Sequence, residues 1–132
     1  MIAIAISLAA MTMCISCEKK SSADTQQVSN IAFTTCLEAE LYVPPEKFSV
    51  DFTNSGVDIT HYLLDVNCAF DTVLVTSALK DGILMLFEQG EPNTANCICK
   101  TNVSYTVSGI SEEDIQQIVI NGEEAWAANI LH

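Results

Sequence analysis

Cys97-Ile98-Cys99-Lys100-Thr101-Asn102-Val103-Ser104-Tyr105-Thr106-Val107-Ser108-Gly109-Ile110 alternates from end to end. Its odd positions, Cys97, Cys99, Thr101, Val103, Tyr105 and Val107, can pack. Its even positions through Ser108 are polar apart from Ile98. A period of two sustained this far is a long strand with one face buried, and it sets two sulfurs, Cys97 and Cys99, on that face.

Outward from this strand the same period recurs. Leu37, Ala39, Leu41 and Val43 share a face until Pro44-Pro45, which cannot donate to a ladder, ends the strand. Phe48, Val50 and Phe52 form one face of a strand over Lys47–Thr53. Val57, Ile59, His61 and Leu63 form one face of its partner over Val57–Asp65, with Asn54-Ser55-Gly56 as the turn. Asp65–Asp71 is less periodic. Thr72–Leu79 and Ile83–Phe87 flank Asp81-Gly82, a tight-hairpin pair. Gly90–Asn96, with Pro92 and two asparagines, reads as a loop. Ser111-Glu112-Glu113-Asp114 resembles a helix cap. The β-branched run Ile118-Val119-Ile120 before Asn121-Gly122 instead favours a closing hairpin, Asp114–Ile120 with Glu123–Ile130. Short strands punctuated by turns, with no βαβ alternation, predict an all-β antiparallel sandwich, with a barrel as the alternative.

The chain has 132 residues and a net charge of −12, with five lysines and no arginine. That length is one domain. The charge excludes nucleic acid as a partner, because phosphate neutralisation needs clustered cations. Residues Met1 to Ile15 are almost wholly apolar, too short to span a bilayer but long enough for the core of an export signal. No lysine precedes Lys19, so the usual positive start is absent.

Ile15-Ser16-Cys17 resembles the end of a bacterial lipobox, and Cys17-Glu18-Lys19-Lys20-Ser21-Ser22 resembles the start of small lipoproteins of the Bacteroidetes type. Cys14 stands where that pattern usually has leucine. The resemblance extends loosely to the domain, through the Cys-x-Cys before a long strand and the late Asn-Gly. It implies a signal peptide over 1–16, lipid attachment at Cys17, and an outer-membrane lipoprotein facing the periplasm or the cell surface. Several acyl chains on one cysteine anchor a protein firmly. Glu18 to Asn30 is polar and aperiodic, a flexible tether over 17–30. The β domain is then 31–132. Asp71-Thr72-Val73 resembles the O-glycosylation pattern of that group, which makes Thr72 a candidate for modification.

Cleavage before Cys17 leaves Cys36, Cys68, Cys97 and Cys99 in the domain, an even set in an oxidising compartment. Strand residues two apart have Cα atoms about 6.6 Å apart with parallel side chains. That is at the edge of disulfide reach, so Cys97 should not pair with Cys99. Cys36–Cys97 with Cys68–Cys99, and Cys36–Cys99 with Cys68–Cys97, both remain. Either pairing closes long loops, at roughly 3–4.5 kcal/mol per bridge. A four-thiolate zinc site is the competing reading, but Cys-x-Cys on a strand is not a zinc knuckle.

Of the remaining chemistry, His61 is the one histidine inside the domain, and no pattern ties it to a nucleophile. The acidic clusters Glu112-Glu113-Asp114 and Glu123-Glu124 lack EF-hand spacing. No Walker loop, dinucleotide fingerprint or nucleophile elbow is present. The residues thus point to a non-enzymatic binding or interaction domain with no cofactor, no metal, and a protein or glycan partner. An exposed patch from Tyr42, Tyr62, Phe87 or Trp126 would sharpen that expectation. The alternatives are a structural envelope protein and an enzyme or inhibitor. An enzyme would need a cleft where His61 meets two or more carboxylates.

Overall fold

The computed structural model describes residues 26–37 and 44–129. The expected strand Leu37–Val43, apart from Leu37, lies outside the described residues. So do Cys14, Cys17, most of the tether, Tyr42 and Ile130.

Among the described residues eight strands form in order: β1 (Val28–Phe33), β2 (Phe48–Phe52), β3 (Gly56–Asn67), β4 (Thr72–Lys80), β5 (Ile83–Glu91), β6 (Ile98–Ser108), β7 (Gln117–Ile120) and β8 (Glu123–Ala127). They make two four-stranded sheets, β1-β6-β3-β2 and β4-β5-β7-β8. The sheets pack face to face as a sandwich, with no closed barrel. The core is aliphatic, with Ile59, Val66, Val103 and Val107 from the first sheet against Leu84, Leu86, Ile118 and Ile120 from the second. One pairing departs from the antiparallel expectation. β7 runs parallel to β5, Leu84 opposite Ile118 and Leu86 opposite Ile120, because β6 carries the chain to the other sheet between them.

Both Asx-Gly pairs turn as read. Asp81 and Gly82 have φ of 53° and 76°, Asn121 and Gly122 of 49° and 83°, the doubly positive φ of a type I′ hairpin. The last hairpin is shorter than expected, Gln117–Ile120 with Glu123–Ala127, and Glu112–Asp114 forms a short 3₁₀ turn ahead of it. Other boundaries shift as well. β1, a strand not expected from the sequence, starts at Val28 inside the expected tether, β3 runs on to Asn67, and β5 runs to Glu91 through residues read as loop. Gly90 belongs in that strand for a steric reason. It faces inward, and a Cβ there would stand 2.9 Å from Val66.

β6 is the central strand of its sheet, flanked by β1 and β3, as its long period requires. Its buried face begins at Thr101 and continues through Val103, Tyr105 and Val107. The sulfurs do not share that burial. Cys97 is exposed and precedes the strand, and Cys99 is half-buried. The chain end is held instead by cross-links: Cys36 pairs with Cys99 and Cys68 with Cys97, with Cα atoms 5.5 and 5.6 Å apart. Cys97 and Cys99 thus have separate partners.

β3 carries a second correction. Its inward face is Val57, Ile59 and His61, then Leu64 and Val66 rather than Leu63. Between His61 and Leu64 the register with β6 slips by one, and Leu63 takes the left-handed conformation at φ 58°. This is a β-bulge, in which one extra residue reverses the phase of everything after it. The Leu63 amide, freed from the ladder, donates to Asn102 Oδ1 at 3.0 Å.

Candidate binding groove over a buried histidine

His61 lies at the end of the first inward run of β3, one residue pair before the bulge. It is 4% exposed. Val103 is its partner on β6, and Tyr105, opposite Ile59, is its diagonal neighbour on the same inner face. Phe48 of β2 packs on its other side, ring centroids 4.5 Å apart.

Glu88 faces both from the opposite sheet. In β5 the inward residues are Leu84, Leu86, Glu88 and Gly90, so a carboxylate holds a core position while Phe87 faces out at 55% exposure. The buried carboxylate is fully engaged. Tyr105 OH donates to its Oε1 at 2.6 Å, and His61 Nδ1–H donates to its Oε2 at 2.5 Å. A buried carboxylate is stable only with such donors. Burial, reinforced by the Glu88 charge and hydrogen bond, pushes the Tyr105 hydroxyl far above its usual value, so it remains a donor.

The main chain of Glu88 is held as well. Its amide donates to Asn121 Oδ1 at 2.8 Å, and Asn121 Nδ2 donates back to its carbonyl at 3.3 Å. β7 ends at Ile120, and the Asn121 side chain continues the pairing one step further along β5.

The other imidazole nitrogen differs from all of these. His61 Nε2 is buried and has no hydrogen-bond partner among the described residues. His61 also lines a groove of about 600 Å³, whereas Glu88 and Tyr105 do not. The groove opens where the bulge distorts β3. Leu63, Leu64 and Asp65 form one wall, Pro44 to Lys47 another, and the Asn121–Glu123 turn a third, with Lys100 at one side. Two ion pairs line it: Lys47 with Glu123, Nζ to Oε2 2.6 Å, and Lys100 with Asp65, its register partner.

The expected sites distribute unevenly around this groove. Tyr62 lines it, half-exposed. Phe87 stands on the outer face of the other sheet, and Trp126 packs edge-on against Phe52 at 4.9 Å, so Tyr62, Phe87 and Trp126 form no common patch. Thr72 is exposed at the start of β4, remote in sequence pairing from the groove strands. His61 meets one carboxylate rather than the two expected of an enzyme. Glu88 and Tyr105 escaped sequence reasoning. Tyr105 was visible as a core residue but not as a donor. Glu88 follows a run, Ile83 to Phe87, that is apolar in both phases, so alternation alone does not say which phase points inward.

No family model matches the chain, and no curated protein and no solved structure matches it.

Proposed function

We propose that this chain is a lipid-anchored domain of the bacterial envelope that binds a ligand without transforming it. The observation that carries the binding reading is the groove of about 600 Å³ beside His61, walled by Tyr62, Pro44, Pro45 and two ion pairs, next to a buried ring nitrogen with no partner among the described residues. Pockets of this size, with a few polar groups set in an apolar lining, are the usual places for small-ligand binding. The rigid frame around it suits recognition, since Glu88 and Tyr105 fix the imidazole and two disulfide pairs fix the strands. Catalysis would ask more of the site. General-base chemistry needs a nucleophile in reach of the free nitrogen, and among the described residues none bonds to it.

The tether reading is supported by Ile15-Ser16-Cys17 and the polar segment after it. In intact cells, Cys17→Ala is expected to move the protein from the membrane to the soluble fraction; undiminished membrane retention would refute the anchor. In the same cells a photo-crosslinker at Tyr62 should give a discrete, saturable adduct that one at Lys80 does not. Equal labelling at the two positions would refute the binding groove.

A further inference from the structure

We infer that the outer face of β4, β5 and β7 rests on a lipid bilayer, with Phe87 and Leu74 against its interfacial region. The inference rests on the anchor reading above and says which side of the domain the anchor brings to the membrane.

The two outer faces of the sandwich differ in kind. On the first sheet the outward positions include Asp51, opposite Asp58, and Asp65, all exposed. On the second sheet they hold Leu74, Ala78, Ile83, Met85, Phe87 and Val119, with threonine and glutamine between them. The register joins these residues. Met85 lies between Ala78 and Val119, and Phe87, opposite Thr76, is the diagonal neighbour of Leu74. Phe87 and Leu74 are 55% and 46% exposed. Among the described residues charge enters this face at its margins, as Lys80, Glu91 and Glu124.

Connectivity supplies the second argument. Gln26, the first described residue, is bound to β4. Its amide donates to Ser77 Oγ at 3.1 Å, and Ser77 Oγ donates to its carbonyl at 2.6 Å. β4 is an edge strand of the second sheet, and Ser77 adjoins Thr76, the partner of Phe87. Nine residues lead from Cys17 to Gln26 and span about 30 Å at most. The route to the lipid therefore leaves the domain at the rim of this face.

Charge and area choose the occupant. Anionic headgroups repel a chain of −12, and the uncharged face is the side on which that repulsion is least. A second copy fits less well. Three strands about 4.8 Å apart, the longest of nine residues, make about 400 Å² at most. That is half of the roughly 800 Å² each partner buries in a stable complex. A bilayer sets no such minimum, because the lipid already holds the domain at the surface and apolar contact adds to it.

The test uses the full chain, purified in detergent from bacterial cells and reconstituted with vesicles of phosphatidylethanolamine and phosphatidylglycerol. One sample carries the photo-crosslinker p-benzoyl-phenylalanine in place of Phe87, and another carries it in place of Asp51 on the opposite outer face. Flotation reads the anchor, and lipid adducts detected by mass spectrometry read the docked face. The Phe87 position should give about tenfold more lipid adduct than the Asp51 position, the factor that burial of one large apolar side chain supplies. Leu74→Glu should lower the Phe87 adduct severalfold with an unchanged melting temperature. Equal adducts at the two positions on floating protein would overturn the docked face and keep the anchor. A protein–protein adduct at Phe87 in place of the lipid adduct would do the same and mean that a second copy covers the face. Cys17→Ala that floats undiminished and keeps the preference for Phe87 would reject the anchor and keep the face. Failure of the native chain to float would reject both.

Discussion

Glu88 is the residue on which the centre of the molecule depends. It is a carboxylate in an aliphatic core, stable because His61 Nδ1 and Tyr105 OH donate to its two oxygens while the Asn121 side chain accepts from its amide and donates to its carbonyl. Removing the carboxylate strands two buried polar groups. Glu88→Ala is therefore expected to cost about 3–5 kcal/mol in urea denaturation, and Tyr105→Phe, which removes one donor, about 1–2 kcal/mol. The Tyr105 hydroxyl also carries a pH dependence. Its value in the fold lies above its usual 10.0, so the folded state holds this proton more tightly than the unfolded chain does. The associated stability is complete below pH 10 and declines as pH rises beyond it. Denaturation midpoints measured across that range should fall more steeply for the native chain than for Tyr105→Phe. Parallel slopes would show that this hydroxyl is not the group that titrates.

At the scale of the element, the β3 bulge and the β5 strand bring the groove and its floor together. The bulge at Leu63 lets β3 keep an inward face on both sides of the distortion, with His61 before it and Leu64 after. β5 approaches β3 closely at Gly90, where there is no room for a side chain. Gly90→Ala places a Cβ 2.9 Å from Val66 Cβ and Cγ1 and 3.3 Å from Phe70 Cβ. β-branched Val66 cannot swing away, so overpacking of about 1–3 kcal/mol is expected. Gly122→Ala tests a different cost, since nothing lies within 4 Å of its Cβ position and only the φ of 83° opposes the change. About 1–2 kcal/mol is expected there. Shortening of the β7–β8 hairpin would accompany it, visible as faster amide exchange at Glu123–Ala127.

At the scale of the whole molecule, the disulfide pairs decide how much of the stability is conditional. Cys36–Cys99 and Cys68–Cys97 span 63 and 29 residues. Chain entropy assigns about 4 kcal/mol to each loop, against ~5–15 kcal/mol for a typical domain. Reductant is expected to lower the melting temperature by about ten degrees or more. Alkylation under non-reducing conditions should find no free thiol among these four. A melting curve indifferent to reductant would mean that the sandwich core alone holds the strands.

Much of this architecture was legible in the sequence, because its causes are local. Alternation over Cys97–Ser108 reports a half-buried strand, and Asp81-Gly82 and Asn121-Gly122 report tight hairpins through the φ values that glycine and its neighbour allow. The exclusion of a Cys97–Cys99 bridge follows from strand geometry in the same way. The tertiary structure decided what depends on distant partners. Two cysteine connectivities were equal in the sequence, and the register along β6 selected one, with Asn67 opposite Ile98 and Leu37 opposite Lys100. Ile83 to Phe87 is apolar in both phases, and only the facing residues His61 and Tyr105 select the phase that puts Glu88 inside. The bulge at Leu63 has no composition of its own; it exists because both halves of β3 must bury their apolar side chains on the same core. Local chemistry sets the period of a strand, while the choice of its inner face and of its buried partners is made by the sheet packed against it.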